Sequence, residues 1–359
     1  MQLVANADKV QSIMRLPTIR DVAREAGVGV ATVSRVLNNS PQVSPETRER
    51  VLETIKTLGY RPNNLARQLS KGTRVRNIGV ISPFVTDHSF VARLHGMQMA
   101  VTASRNDYDL ILYNVTSAER YRQRLVSICE QGMIKGLLVV VMTLTREQRD
   151  LLDDSGVVFV GISDRIIHDW PSIGADNVVG GELATEYLLK LGHQRIAYMG
   201  DRFQFINEHQ FSVGEARYQG YYRALRAHGV DLRPEYVQLG PHGRDVAYSL
   251  TSTLLALREP PTAIFCMSDV QALGCLAAIR DHGLQVPEDV SVIGFDDVEI
   301  SRLIGLTTVR QHLEQGGYLG MRHLLQLLGD VSFGDLPPAL SVPTLPPFEI
   351  IERQTTRYI

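Results

Sequence analysis

Residues 18–38 read TIRDVAREAGVGVATVSRVLN, and the fold of the amino-terminal part is decided in this stretch. Thr18 with Asp21 three residues on is a capping-box pattern, Val22, Ala23 and Ala26 make one small apolar face, and Gly27 breaks the helix. After the turn, Val33, Val36 and Leu37 point inward, while Ala31, Ser34, Arg35 and Asn38, at i, i+3, i+4 and i+7, share the opposite face. A solvated helix face more usually carries long Lys or Glu side chains. Short polar ones let the backbone sit deep in a DNA major groove, with Arg35 free to reach guanine edges and its neighbours to reach phosphates.

Working outward, Ser44-Pro45-Glu46 reads as an N-cap with proline in the first turn of a third helix. That helix is expected to bury Val51, Leu52, Ile55 and Leu58 and to end at Gly59. Asn63 can cap a further helix of only about two turns, too short to persist alone in water. Leu65 and Leu69 lie four apart on it, which fits either a linker helix docking on its neighbour or an apolar wedge for a minor groove.

Charge follows the same division. The 359 residues carry a formal net charge of only −2. Between Arg15 and Val75, however, eleven basic residues face five acidic ones, leaving about −8 for the rest. Cys129, Cys266 and Cys275 sit in apolar segments at no metal-ligand or disulfide spacing and read as reduced core residues. No apolar run approaches the ~18 residues of a membrane span, and residues 1–13 lack the apolar core of a signal peptide, so the expectation is a cytoplasmic protein. Residues 1–14 read either as a disordered extension or as a wrongly assigned start.

TIRDVAREAGV, ATVSRVLN, SPETRERVLETIKTLGYRPN and LARQLS together closely resemble the lactose-repressor/galactose-repressor (LacI/GalR) family of bacterial transcription regulators. The resemblance implies a helix-turn-helix headpiece over 15–61 and a hinge helix and linker over 62–75 that forms on operator DNA. It also implies a bilobed, periplasmic-binding-protein-like effector-binding core over 76–359 that dimerises. Carried over by position, Val30, Ala31 and Arg35 match base-reading residues, Thr32, Ser34 and Asn38 match phosphate contacts, and Leu69 matches the leucine that intercalates at the operator centre. Thr18 and Asn63, at the starts of the first and hinge helices, complete the candidate DNA-binding set. Gly29 stands where these proteins usually carry a serine cap, and Val30 and Ala31 offer only apolar contact, suited to a thymine methyl.

From Arg76 the pattern changes to short apolar runs, NIGVISP, DLILYNV, LLVVVM, VVFVGIS, RIAYMGD, TAIFCMS and SVIGFDD, alternating with amphipathic helical stretches that close on glycine. This is an α/β class with parallel sheets, too long for one sheet, hence two similar halves. The crossed connectivity, with crossovers near 175, 308 and 342, is what the resemblance suggests.

Ligands of open α/β sheets sit beyond the carboxyl ends of strands, which nominates Pro83, Asn114, Asp164, Arg165, Asp201, Ser268, Asp269, Asp296 and Asp297. Ser268-Asp269 fits helix capping equally well. The family's ligand positions map onto Arg217, Ser268 or Asp269, and Asp296, with the segment His88-Ser89-Phe90. Arg217, on the inner face of a helix start otherwise lined by Tyr218 and Tyr221, needs a partner. His242 falls where relatives stack an aromatic ring, although a lone histidine is otherwise simply solvated. Gly161 stands where several relatives place an aspartate, for which Asp164 is the substitute, and Trp170 is a candidate for the missing ring.

The candidate effector set is therefore Phe90, Asp164, Arg165, Arg217, His242, Ser268, Asp269 and Asp296. An enzyme reading finds no dinucleotide fingerprint, GxxxxGK, nucleophile elbow or HExxH, and no catalytic residue, cofactor or metal is expected. The expected function is a repressor that binds a pseudo-palindromic operator as a homodimer under control of a small polar, carbohydrate-like effector. The alternative is a solute-binding protein of the transport type, which shares such a core but has no basic headpiece.

Overall fold

The computed structural model describes residues 19–37, 40, 42–58, 76–83, 85–163, 170–201, 213–333 and 345–359. The expected extension 1–14, the hinge 62–75 and the candidates Thr18, Asn38, Asn63, Leu69, Asp164 and Arg165 lie outside the described residues. The chain separates into two compact units, Met1–Val75 and Arg76–Ile359.

In the first unit, α1 (Ile19–Glu25), α2 (Val30–Leu37) and α3 (Pro45–Leu58) enclose a small core of Val22, Ala23, Ala26, Val33, Val36 and Val51. Gly27, at φ 64°, makes the turn between α1 and α2 in the left-handed region that glycine enters without a Cβ penalty. Ser44 caps α3 by accepting a hydrogen bond from the Thr47 amide at 3.3 Å. Arg50 braces the unit from outside, its Nε donating to the Ala26 carbonyl at the end of α1 at 3.1 Å. Leu52 departs from expectation and is 50% exposed. Val51, Ile55 and Leu58 already form the inner i, i+4, i+7 stripe of α3, and Leu52 lies about 100° round the helix from Val51.

The second unit holds two sheets. Strands β1 (Asn77–Ser82), β2 (Asp109–Asn114), β3 (Gly136–Val140), β4 (Val158–Ser163) and β5 (Ser172–Gly174) form a parallel sheet in the order β2-β1-β3-β4-β5. Between them lie α4 (His88–Ala103), α5 (Ala118–Gln131) and α6 (Arg146–Asp154). After β5 the chain enters α7 (Asn177–Lys190) and a second sheet of β6 (Ile196–Asp201), β7 (Val237–Gly240), β8 (Ala263–Cys266), β9 (Ser291–Asp296) and β10 (Thr307–Arg310), with α8 (Val213–Ala227), α9 (Arg244–Leu255), α10 (Asp269–Asp281) and α11 (Glu299–Leu303) between. The chain then returns to the first lobe, where α12 (Leu313–Leu327) packs on α4, β3, β4 and β5. It finishes in the second lobe with β11 (Glu349–Ile351), antiparallel to β10. Three connections therefore join the lobes.

Central strands such as β3 and β9 are buried along their whole length, because helices cover both faces of a parallel sheet. Each lobe also has a close helix pair. A Cβ on Gly96 of α4 would collide with the Glu314 carbonyl of α12, and one on Gly317 of α12 with the Arg93 carbonyl of α4. Gly181 of α7 and Gly220 of α8 do the same for the second lobe, against the Arg217 and Val178 carbonyls. Backbone contact at these crossings fixes α4 and α8 and hence the side chains they carry toward the space between the sheets. No helix among the described residues is long and apolar enough to cross a membrane.

Candidate DNA interface and effector cleft

On α2 the inner face, Val33 and Val36, is 0% and 3% exposed, while Val30, Ala31 and Arg35 are exposed and Thr32 and Ser34 half-buried. Val30 is 43% open to solvent, unusual for a valine that a core could have taken. Among the described residues the Arg35 guanidinium makes no hydrogen bond or ion pair, in contrast to Arg24, whose Nη2 binds Asp21 at 2.7 Å. A guanidinium free to extend from a rigid helix, beside small side chains, is the geometry that bidentate contact with a guanine edge requires.

In the second unit the carboxyl ends of β6, β8 and β9 meet α7, α8 and α10 around Arg217, which is 3% exposed. Its Nε donates to Asn177 Oδ1 at 2.8 Å, Nη1 donates to the Met267 carbonyl and lies 3.6 Å from Asp296 Oδ1, and the guanidinium stands 3.6 Å over the Phe295 ring. A buried cation is tolerable because its Nε, its Nη1 and one face are each matched. Gln311 donates its side-chain amide to the same Asp296 oxygen. Burial pushes the Asp296 carboxyl above its ordinary value, against the pull of Arg217, of Arg93 on α4 and of His242. Asp296 and Asp297 also hold positive φ, 122° and 55°, a strained pair at the strand end. Asp297 is clamped there by Arg310 Nε at 2.8 Å and Arg353 Nη2 at 2.6 Å.

His242 is held rather than simply solvated. Its Nδ1 lies 3.1 Å from Asp201 Oδ1, and its Nε2 lies 4.0 Å from Asp87 Oδ2 of the other lobe. Burial works to lower its pKa, but the Asp201 hydrogen bond and the charges of Asp201, Asp87 and Asp296 outweigh this and raise it. Gln271 Nε2 donates to the same Asp201 oxygen at 3.0 Å.

Other candidates fall elsewhere. Ser268 caps α10, accepting from the Gln271 amide at 3.2 Å. Asp269 is a correction: it is 0% exposed and accepts from the Val298 amide at 3.0 Å, Ser301 Oγ at 2.6 Å and Thr308 Oγ1 at 2.5 Å, so it anchors α11 and β10 instead of lining the cleft. Its burial and the neighbouring Asp296 charge push its pKa up to about 7. Phe90 is a second correction, 2% exposed within the first lobe's core beside Val80, Leu138, Val140 and Ile162, because the apolar face of α4 turns toward the sheet. Trp170 likewise is core: it packs tilted against Phe159 at 5.8 Å and over Gly161, where a Cβ would come within 2.7 Å of its ring.

The partners missed from sequence are Asn177, Gln311 and the Met267 carbonyl, together with Arg93, a charged residue 5% exposed on an otherwise apolar helix face. Only Arg93 left a readable signal, as a break in that face. Among the described residues no group of three or more His, Cys, Asp or Glu side chains could hold a metal.

Two family models match the chain: "Bacterial regulatory proteins, lacI family" over residues 18–63 and "Periplasmic binding protein-like domain" over 185–356. Among curated proteins, the HTH-type transcriptional repressor PurR of Vibrio vulnificus is 32% identical over 324 residues, covering 88% of this chain and 93% of the relative. Catabolite control protein A of Priestia megaterium is 34% identical over 327 residues, covering 89% and 96%. Among solved structures, the lac repressor dimer bound to operator and the anti-inducer ONPF aligns with TM-score 0.66 at 28% identity, covering 96% of this chain and all of that one. The transcriptional regulator CelR–cellobiose complex aligns with TM-score 0.62 at 28% identity, covering 94% and 99%.

Proposed function

The chain belongs to the lacI family of bacterial regulatory proteins, and from that membership we propose that it represses transcription as a cytoplasmic homodimer on a pseudo-palindromic operator. It is a DNA-binding transcriptional regulator with a periplasmic-binding-protein-like core. The observation that carries the reading is the outer face of α2, where Val30, Ala31 and Arg35 stand exposed on a helix whose other face is fixed by Val33 and Val36. Two such helices, one from each protomer, would enter successive major grooves one helical turn apart or a multiple of it. Thr32, Ser34 and Asn38 would meet phosphates and Leu69 would wedge the operator centre.

A small polar effector, carbohydrate-like as in the CelR–cellobiose complex, would occupy the space between the lobes against Arg217, His242 and Asp296, with Asp164 and Arg165, the two residues that follow Ser163 in the sequence, as further proposed contacts. It would alter the angle between the lobes and so the operator affinity, through a reciprocal coupling of typically about 1–3 kcal/mol. The chemistry is binding, with no catalytic residue or cofactor required. A transport-type solute-binding protein lacks the headpiece that residues 18–63 match.

Selection of bound sequences from a random DNA pool, followed by footprinting, tests the proposal. Protected palindromic sites are the expected result, and absence of any selected sequence would overturn it. A thermal-shift screen of sugars, sugar phosphates, nucleosides and polyols identifies the effector, since a ligand of the folded state raises the melting temperature.

A further inference from the structure

Two carboxylates and an imidazole meet where the two lobes face one another. The side chain of Asp87, immediately before α4, makes no capping hydrogen bond to its own helix, and its carboxylate turns toward the second lobe. His242 lies in the loop between β7 and α9, just before Gly243 at φ 146°. Asp201 ends β6 and is held in place by Gln271 Nε2. The amide hydrogens of Gln271 must face this carboxylate, because its oxygen there would repel it.

A neutral imidazole has one N–H. With Nδ1 3.1 Å from Asp201 Oδ1, that hydrogen belongs on Nδ1, and Nε2 then presents a lone pair to Asp87 Oδ2 at 4.0 Å. The first contact joins two elements of one lobe and survives in the neutral form. The second joins the lobes, and it becomes attractive only when Nε2 also carries a proton. The other charged groups around the bridge are His88, next to Asp87 on α4, and Asp296 at the end of β9, with Arg217 on α8 and Arg93 on α4 acting on Asp296. Asp87, Asp201 and Asp296 favour the imidazolium, whereas the two arginines spend their charge chiefly on Asp296.

We propose that Asp87, His242 and Asp201 form a proton-operated clasp that holds the two lobes of the core together when His242 is protonated and releases them when it is neutral. The sign follows from the partners: His242 binds its proton more tightly in the clasped form, so the clasp is complete below the folded-state pKa and is lost as pH rises through it. Burial of Asp87 raises its own pKa while His242 lowers it, so the two groups stabilise each other's charged forms. The clasp rests on the proposed effector cleft only for its consequence, that closure around a ligand becomes pH-dependent.

The test uses the full-length protein without effector. The His242 C2–H resonance, identified by its loss in H242N, is followed through pH 5–9, together with amide hydrogen exchange of residues 88–94 corrected for intrinsic rates. The expected results are a His242 titration displaced upward, a downward shift of it in D87N, and exchange at 88–94 that quickens as wild type loses the proton but stays level with pH in H242N. A His242 titration unmoved by D87N, or the same pH profile of exchange in H242N as in wild type, overturns the clasp. Should H242N fail to fold, D87N, which changes a half-exposed rim carboxylate, carries the same two readouts, with H242Q supplying the resonance identification. Retention of these preparations on genomic DNA reports separately on the regulator reading, which survives failure of the clasp.

Discussion

Gln311, the first residue past β10, donates its side-chain amide to Asp296, the carboxylate that faces Arg217 at 3.6 Å. The residue after it, His312, holds a left-handed φ of 53° and starts the return to the first lobe. One of the three inter-lobe connections is thus fastened directly to the charged centre of the cleft. A ligand that displaced Asp296 would pull on the connection through this hydrogen bond and through the β9–β10 pairing of Asp296 with Arg310.

Replacing Gln311 with leucine removes this donor and leaves a buried carboxylate with less to compensate it. A loss of about 1–3 kcal/mol is expected from urea unfolding, the usual penalty for an unmet buried acceptor. An unchanged midpoint would show that the bond adds no stability.

Gly161 and Trp170 are sterically paired, so G161D should destabilise the first lobe by crowding the indole, a cost of about 1–3 kcal/mol. W170A alone opens a cavity and should cost about 3–5 kcal/mol. The double variant should be less destabilised than the two single losses added together, and strict additivity in thermal melts would refute the contact.

His193 is 1% exposed, with Nδ1 2.9 Å from Thr262 Oγ1 and Nε2 3.1 Å from Ser291 Oγ, and burial lowers its pKa below the usual histidine value. The unfolded chain therefore takes up this proton first. Its contribution is present above about pH 6.5 and falls away as pH drops below that toward the lower folded value. The midpoint of urea unfolding should fall between pH 7 and pH 5 in wild type, and less in H193N.

Arg35 should read bases. R35A is expected to weaken selected operator DNA by about 1–3 kcal/mol and random DNA hardly at all. Equal losses on both, by gel shift, would reduce the side chain to a phosphate contact.

What could be read from sequence follows from burial. Strands β1, β3, β4, β6, β8 and β9 are enclosed by helices on both faces and appear as continuous apolar runs. β5, β7, β10 and β11 have only three or four residues each and carry Ser172, Gln238, Thr307, Thr308 and Glu349, so no run marks them. Arg217 stood out because a cation on an aromatic helix face must be matched. Its partners did not: Asn177 and the Met267 carbonyl lie 40 and 50 residues away in sequence and meet it through topology alone. Aromatic character marked Phe90 and Trp170 as notable without saying which face of the sheet each would occupy. Leu52 misled for a related reason, since α3 has room for one inward stripe and Val51 already fills it.

The late return of the chain has a consequence for biosynthesis. The first lobe is encoded early, yet its layer against β3, β4 and β5 is α12, Leu313–Leu327, and the edge of the second lobe is closed by Glu349–Ile351. Neither half can finish folding while the ribosome is still translating codon 310, so a nascent polypeptide must wait with an uncovered apolar sheet. Premature termination before codon 313 would therefore damage both halves at once and leave no intact half to persist in the cell, whereas a stop between codons 328 and 348 would cost the second half its edge strand alone.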